Sequence, residues 1–280
     1  MTDRYAVIGN PIAQSKSPLI HGEFARACAQ DMSYERLLGP LGGFAPCVDQ
    51  FRAEGGRGLN VTAPFKLDAC AYCTDLSIDA QLAGAVNAMK FEGEKVWGQN
   101  FDGIGLVRDL QVNLKTPLMG RRVLILGAGG ATRGALLPIL QCRPARMVIV
   151  NRTVNKAVEL LGIAQQHQPA LAQECRLQAM GYADLAGQAF DVVLHATSAG
   201  LSDEAPPLPA GVFAPGALAY DLTYGKGMTP FLRLARDANV SHLADGVGML
   251  AEQAAEAFAW WRGVRPDTAE VIRQITVPLQ

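Results

Sequence analysis

Val123-Leu124-Ile125-Leu126-Gly127-Ala128-Gly129-Gly130, followed by Val148-Ile149-Val150-Asn151-Arg152-Thr153, decides how this 280-residue chain is read. The first stretch is an apolar strand that runs into a glycine turn and then a helical pattern. That order lets backbone approach a pyrophosphate and points a helix N-terminus at it. The second stretch is a strand that ends at Arg152, where dinucleotide-binding folds commonly place an acid for the ribose hydroxyls. A guanidinium there suits a 2′-phosphate, hence NADP over NAD, and Lys156 one helical turn on adds a second cation. Thr132 holds the third glycine position of the fingerprint. On residues alone, Arg152 as a solvated strand-end charge and Lys156 as a helix-surface lysine stay open.

A dinucleotide unit that begins near residue 120 leaves a domain's length of chain ahead of it. The 49% hydrophobic content supplies a sizeable core, and the formal charge of -1 gives no reason to expect nucleic acid or an anionic membrane surface. No run approaches the roughly 18 apolar residues of a membrane span. A small-molecule partner and a cytoplasmic location are expected. The cysteines are scattered, so reduced thiols are the default. Cys70 and Cys73 spell C-x-x-C, which reads as two small apolar residues one helical turn apart.

Strand and helix patterns alternate along the whole chain, the mark of an α/β protein. Ahead of the glycine turn, strands are expected over 5–8, 34–38, 58–61, 88–91 and 96–98, joined by parallel connections. Helices are expected over 18–29, with Ser17 as N-cap, and over 44–53, 66–73 and 103–112. Beyond it, strands are expected over 123–126, 147–150, 190–194 and 218–222, with helices over 132–140, 155–166 and 249–261.

Hydride transfer needs a proton donor and acceptor beside the reacting carbonyl or alcohol. No tyrosine is followed four residues later by lysine, and no Cys/His/Glu set has metal-ligand spacing, so a short-chain reductase pair and a zinc centre are absent. Polar clusters instead follow strands in the first part: Asn10 through Ser17, Asn60 through Lys66, then Asn87 and Asn100-Phe101-Asp102-Gly103. Hydroxyls, amides, an ammonium and a carboxylate suit a polyhydroxylated, anionic small molecule. Within the set, Lys66 and Asp102 form the natural acid/base pair. Lys66 as a helix N-terminal surface residue and Asp102 as an N-cap remain the plain alternatives.

These motifs in this order resemble the shikimate dehydrogenase family. The resemblance rests on the glycine turn with Asn151-Arg152-Thr153, Ser15-Lys16-Ser17, Asn60-Val61-Thr62-x-Pro64-x-Lys66 and Ala83-Gly84-Ala85-Val86-Asn87. It continues through Asn100-x-Asp102-Gly103, Ala196-Thr197-Ser198 and Asp245-Gly246-x-Gly248-Met249-Leu250 to Gln253. It implies NADPH-dependent reduction of 3-dehydroshikimate to shikimate in aromatic amino-acid biosynthesis, by a monomer or homodimer. It also implies a substrate-binding domain over 1–102, completed by 245–280, and a Rossmann-like NADP domain over 103–244. Lys66 and Asp102 would be catalytic. Ser15 and Ser17 would hold the substrate carboxylate, Asn60, Thr62, Asn87 and Gln253 its hydroxyls, and Tyr224 would border the carboxylate. The cofactor would lie against Gly127, Ala128, Gly129, Gly130, Ala131, Asn151, Arg152, Thr153, Lys156, Thr197, Ser198, Gly246 and Met249.

Three positions depart from the family pattern. Phe101 replaces a usual threonine, and a bulky ring there would reshape the pocket; Ala63 replaces a branched residue; His195 replaces an asparagine and is expected to be structural or to lie at the cofactor edge. A quinate/shikimate-type paralogue acting on a related ring acid is the alternative enzyme. An NADP-binding sensor is the non-enzymatic one.

Overall fold

The computed structural model describes residues 2–197 and 204–279, and divides the chain into two units. The first comprises Met1–Gly105 and Leu250–Gln274, the second Leu106–Met249 and Ile275–Gln280. Of the stretch 245–280, Leu250–Gln274 belongs to the first unit, while its two ends belong to the second. The turn at Gly246 packs on the carbonyl of Leu222, and Leu279 packs into the second unit's core.

The first unit is built from β1 (Asp3–Gly9), α1 (Ser17–Ala27), β2 (Met32–Leu38), α2 (Phe44–Ala53), β3 (Gly56–Val61) and α3 (Lys66–Tyr72). It continues through β4 (Asp75–Leu76), α4 (Ile78–Ala83), β5 (Ala88–Glu92), β6 (Lys95–Gln99) and the start of α5 (Asp102–Arg108). Its sheet has the order β2-β1-β3-β5-β6-β4. β1 runs parallel to β2 and β3, and β4 to β6, but β5 is antiparallel to both its neighbours. The expectation of parallel connections fails there because a two-residue turn, with Gly93 at φ +61°, joins β5 to β6 and can only reverse the chain. This reversal matters for function. It brings Asn87, just before β5, to the edge where β3 and β6 end.

The second unit begins within α5, which passes directly into a π-helical turn (Asp109–Asn113), so the helix expected over 103–112 is helical throughout but changes its winding at Asp109. There Asp109 is buried, accepts the Tyr220 hydroxyl at 2.8 Å and lies where a side chain on Gly248 would stand. Then follow β7 (Arg122–Leu126), α6 (Gly130–Gln141), β8 (Arg146–Val150), α7 (Val154–His167), α8 (Pro169–Glu174) and β9 (Arg176–Met180). β10 (Phe190–His195), β11 (Phe213–Asp221), α9 (Pro230–Asp237) and β12 (His242–Asp245) complete the sheet, and α10 (Val247–Arg262) and α11 (Ala269–Ile275) follow it. The sheet is parallel throughout, in the order β12-β11-β10-β7-β8-β9. The near-continuous apolar runs of β7, β8 and β10 are buried, as strands covered on both faces must be. Among the described residues no helix is long and apolar enough to cross a membrane.

Candidate active site

In the first unit the loops after β1 and β3 and the segments flanking β5 and β6 converge on one edge of the sheet. Gly9 permits this approach, since a Cβ there would stand 2.6 Å from Thr62 Cγ2. The Arg36 guanidinium donates to the Ser15 carbonyl at 2.7 Å and fixes the β1 loop. Ser15 Oγ donates to Ser17 Oγ at 3.2 Å and accepts the Ser17 backbone N–H at 3.3 Å. Ser17 is thus not the N-cap of α1 but its first residue. Lys16 occupies the cap without a side-chain hydrogen bond.

Lys66 begins α3, an end where the helix dipole disfavours an ammonium. Its Nζ lies 2.5 Å from Asp102 Oδ2. The other oxygen of Asp102 accepts from Asn87 Nδ2 at 2.8 Å, and the same Nδ2 lies 3.3 Å from Gln253 Oε1. Asn87 Oδ1 in turn accepts the Phe101 N–H at 2.9 Å. The Asp102 N–H is taken by Asn100 Oδ1 at 3.1 Å, so Asn100 does the capping and both Asp102 oxygens face the cluster. Gln253 reaches the site because Gly105 leaves room for α10, a Cβ there standing 2.7 Å from the Gln253 nitrogen. Asn60 is buried and donates to the Asn87 carbonyl at 3.3 Å.

Of the first unit's predicted residues, Lys66, Asp102, Asn60, Asn87 and Gln253 form this connected network, Ser15 and Ser17 a second pair, and Thr62 caps neither but lines Gly9. The Phe101 side chain belongs to the core and takes no part in this network. Its ring is buried in an aromatic cluster with Tyr5 and Trp261, edge-on to Trp260 at 5.8 Å. Ala63 is exposed, and its carbonyl accepts the Asn10 N–H at 3.1 Å. Cys70 and Cys73 pack against the first unit's core, where burial pushes the Cys73 thiol up to about 12.

Sequence reasoning missed Tyr34, whose hydroxyl donates to Asn60 Oδ1 at 2.6 Å and fixes that amide's orientation. It also missed His21, fully buried and stacked on Tyr34 at 4.2 Å. The alternation of Tyr34 with exposed residues in β2 was the available signal, because a half-buried phenol turned toward the core needs a partner for its hydroxyl.

In the second unit Gly127 has φ +105°, and a Cβ on it would stand 2.8 Å from Thr197 Cγ2. Around the positions where Gly129 and Gly130 would carry side chains, nothing lies within 4 Å. Ala128, Gly129, Gly130 and Ala131 therefore present backbone at the start of the 12-residue α6, whose N-cap Gly129 carries no side-chain hydrogen bond. Thr132, in place of the third glycine, is buried and donates to the Gly127 carbonyl at 2.7 Å. Asn151 braces the turn by accepting the Ala128 N–H at 3.3 Å and donating to the Thr153 carbonyl at 2.9 Å. Arg152 and Lys156 are exposed beside it. An open backbone cradle flanked by two cations fits a dinucleotide with a 2′-phosphate. Gly246 is buried under β11's end, Met249 lies in the first turn of α10, and Tyr224 is exposed in the connection after β11. Ser198 lies outside the described residues.

Family models described as the shikimate dehydrogenase substrate binding domain, shikimate / quinate 5-dehydrogenase and the shikimate 5′-dehydrogenase C-terminal domain match residues 7–89, 110–202 and 246–276. A shikimate dehydrogenase (NADP(+)) of Chromobacterium violaceum is 54% identical over 275 residues, 98% of either chain. Of solved structures, an Ael1 enzyme from Pseudomonas putida is similar with a TM-score of 0.94 at 57% identity, over 99% of this chain and 100% of that one. Shikimate 5-dehydrogenase from Thermus thermophilus, in complex with NADP(H) and shikimate, gives 0.83 at 31% identity, over 98% and 99%. The chain belongs to the shikimate dehydrogenase family.

Proposed function

We propose that this chain catalyses the reversible, NADPH-dependent reduction of 3-dehydroshikimate to shikimate, with Lys66 and Asp102 as its acid–base pair. The observation that carries the reading is the 2.5 Å contact of Lys66 Nζ with Asp102 Oδ2, inside a network that also holds Asn87 and Gln253. When bound, NADPH supplies the hydride to the carbonyl carbon. Lys66 donates a proton to the oxygen of that carbonyl and recovers one in the reverse direction. Asp102 holds the ammonium in place and, through Asn87, is held in turn. The amides of Asn60, Asn87 and Gln253 and the hydroxyl of Thr62 bind ring hydroxyls, while Ser15 and Ser17 take the carboxylate.

Arg152 and Lys156 bind the 2′-phosphate, and the Gly127–Ala131 backbone cradles the diphosphate. Every group in this reading sits on one chain, so a monomer or a homodimer can carry it. The six free cysteines suit a reducing, cytoplasmic compartment.

The test is a steady-state assay of shikimate and quinate oxidation with NADP and with NAD. The expected result is a kcat/KM for shikimate with NADP above each of the other three combinations. Equal rates on quinate would move the chain to the paralogue that acts on a related ring acid. Tight NADPH binding without turnover would make it a sensor.

A further inference from the structure

His195 is a buried titratable side chain of the second unit that the proposed chemistry leaves unused. It ends β10, is 3% exposed, and stacks on Phe231 with ring centroids 4.9 Å apart. Its cross-strand partner on β11 is Asp221, and its Nδ1 stands 3.2 Å from Asp221 Oδ2. Asp221 is itself fully buried and well anchored: Oδ2 accepts the Thr229 hydroxyl at 2.6 Å and Oδ1 the Thr223 N–H at 3.0 Å. Burial alone would raise this carboxyl, but the neighbouring His195 and the hydrogen bonds from Thr229 and Thr223 outweigh it and hold the group below the usual range. Nδ1 faces this carboxylate without a well-aligned hydrogen bond, an arrangement that favours the imidazole proton on Nδ1 and Nε2 as the acceptor. Nε2 lies 2.7 Å from Thr197 Oγ1.

Thr197 is also the residue whose methyl packs on Gly127, the first glycine of the dinucleotide turn. The two contacts of Thr197 therefore point in opposite directions, one into the buried pair and one onto the cofactor cradle. We propose that His195, backed by Asp221, is a positioning residue for the cofactor: its Nε2 accepts a hydrogen bond from the Thr197 hydroxyl and so locks that side chain, through its methyl, against Gly127, which fixes the turn on which the dinucleotide rests. The proposal rests on the reading of this turn as an NADPH site. A purely structural histidine would need only its stacking on Phe231 and its buried carboxylate.

Calorimetric titration of the intact protein with NADPH, without substrate, tests it. His195→Ala is expected to weaken NADPH binding about three- to tenfold, the worth of one hydrogen bond. The KM for shikimate should change less than twofold. Thr197→Val should weaken NADPH binding by a similar factor, and the double variant should be no worse than either single one, because both remove the same interaction. His195→Gln, which keeps an acceptor at similar reach, should recover part of the affinity, and it serves in place of the alanine variant should that one not fold. Unchanged NADPH affinity in His195→Ala, or additive losses in the double variant, would overturn the proposal while leaving the NADPH site intact. Failure of the unaltered protein to bind NADPH would overturn the site reading itself.

Discussion

At the edge where β3 and β6 end, the first unit presents side chains already hydrogen-bonded to one another, whereas the ends of β7 and β8 in the second unit present backbone and solvent-exposed cations. Lys66, Asp102, Asn87, Gln253 and Asn60 are each held by a neighbour before any ligand arrives. Gly127, Gly129 and Gly130 have no side chains to hold, and Arg152 and Lys156 are exposed. The two chemistries answer different ligands. A ring with hydroxyls at fixed positions is recognised by fixed donors and acceptors, whose ordering cost is met when the chain folds. A diphosphate is an extended charge that a helix N-terminus and a glycine turn bind without side-chain detail. Substitutions in the first region should therefore act on turnover, and those in the second on cofactor affinity.

The largest effect is expected at Lys66. Lys66→Ala removes the proton donor and leaves Asp102 without its cation, and kcat should fall by roughly 10²–10⁴-fold, the usual worth of general acid–base catalysis. NADPH affinity measured by calorimetry should stay within twofold of the unaltered protein. Asp102→Asn, which keeps shape and the contact to Asn87, should cost less in kcat than the lysine change. An alanine variant that keeps more than a tenth of its turnover would break the assignment of chemistry to the first region.

The second region is probed at Arg152. Replacing it with alanine removes a charge-assisted contact worth about 1.5–3 kcal/mol, so kcat/KM with NADP should drop on the order of 10- to 100-fold. The rate with NAD should hardly change, because NAD lacks the 2′-phosphate. Equal losses with both cofactors would mean that Arg152 shapes the turn rather than selecting the nucleotide.

How much of this was legible follows from how local each signal is. The glycine turn, β7 and β8 are written in consecutive residues, because a doubly covered parallel strand is an unbroken apolar run. Lys66, Asn87 and Asp102 were legible as strand-end polar residues, but their meeting depends on β5 running antiparallel, and that direction is set by the short turn at Gly93. The ring of Phe101 could not be aimed from sequence, because its burial against Trp260 depends on a helix some 160 residues away in the chain. His195 and Asp221 become partners only through the register of β10 with β11. β9, five residues long with none of them buried, and the two-residue β4 carry too little apolar pattern to be seen.

The smallest effect measures what the first region's arrangement costs in stability. Beneath Asn60 and Tyr34, His21 is fully buried, and neither ring nitrogen meets a well-aligned hydrogen-bond partner; Asn60 is the polar group that faces it. Burial holds its pKa down to about 3, against an ordinary value of 6.5. A folded-state pKa below the unfolded one means that the unfolded chain binds a proton the native state refuses. Stability should then fall as pH drops through 6.5, by up to about 1.4 kcal/mol per pH unit, until the native histidine itself titrates near 3. The carboxylates of Asp3, Asp191 and Asp221 are all held below their usual range, so their own stabilising contributions are lost only in stronger acid. Burial raises Asp79 and Asp245, which act in the opposite sense as the pH falls, so the His21 contribution of about 2 kcal/mol between pH 7 and pH 5 is read as the difference from a variant that lacks it. All three tryptophans, Trp97, Trp260 and Trp261, lie in the first unit, so urea unfolding followed by their fluorescence reads the surroundings of His21. His21→Phe keeps a ring against Tyr34 and removes the titrating group, so its urea midpoint should lose less than the unaltered protein's over the same interval. Equal losses in the two proteins would show that the buried imidazole is neutral at no cost, and that the side-chain network above it is held without the strain on stability argued here.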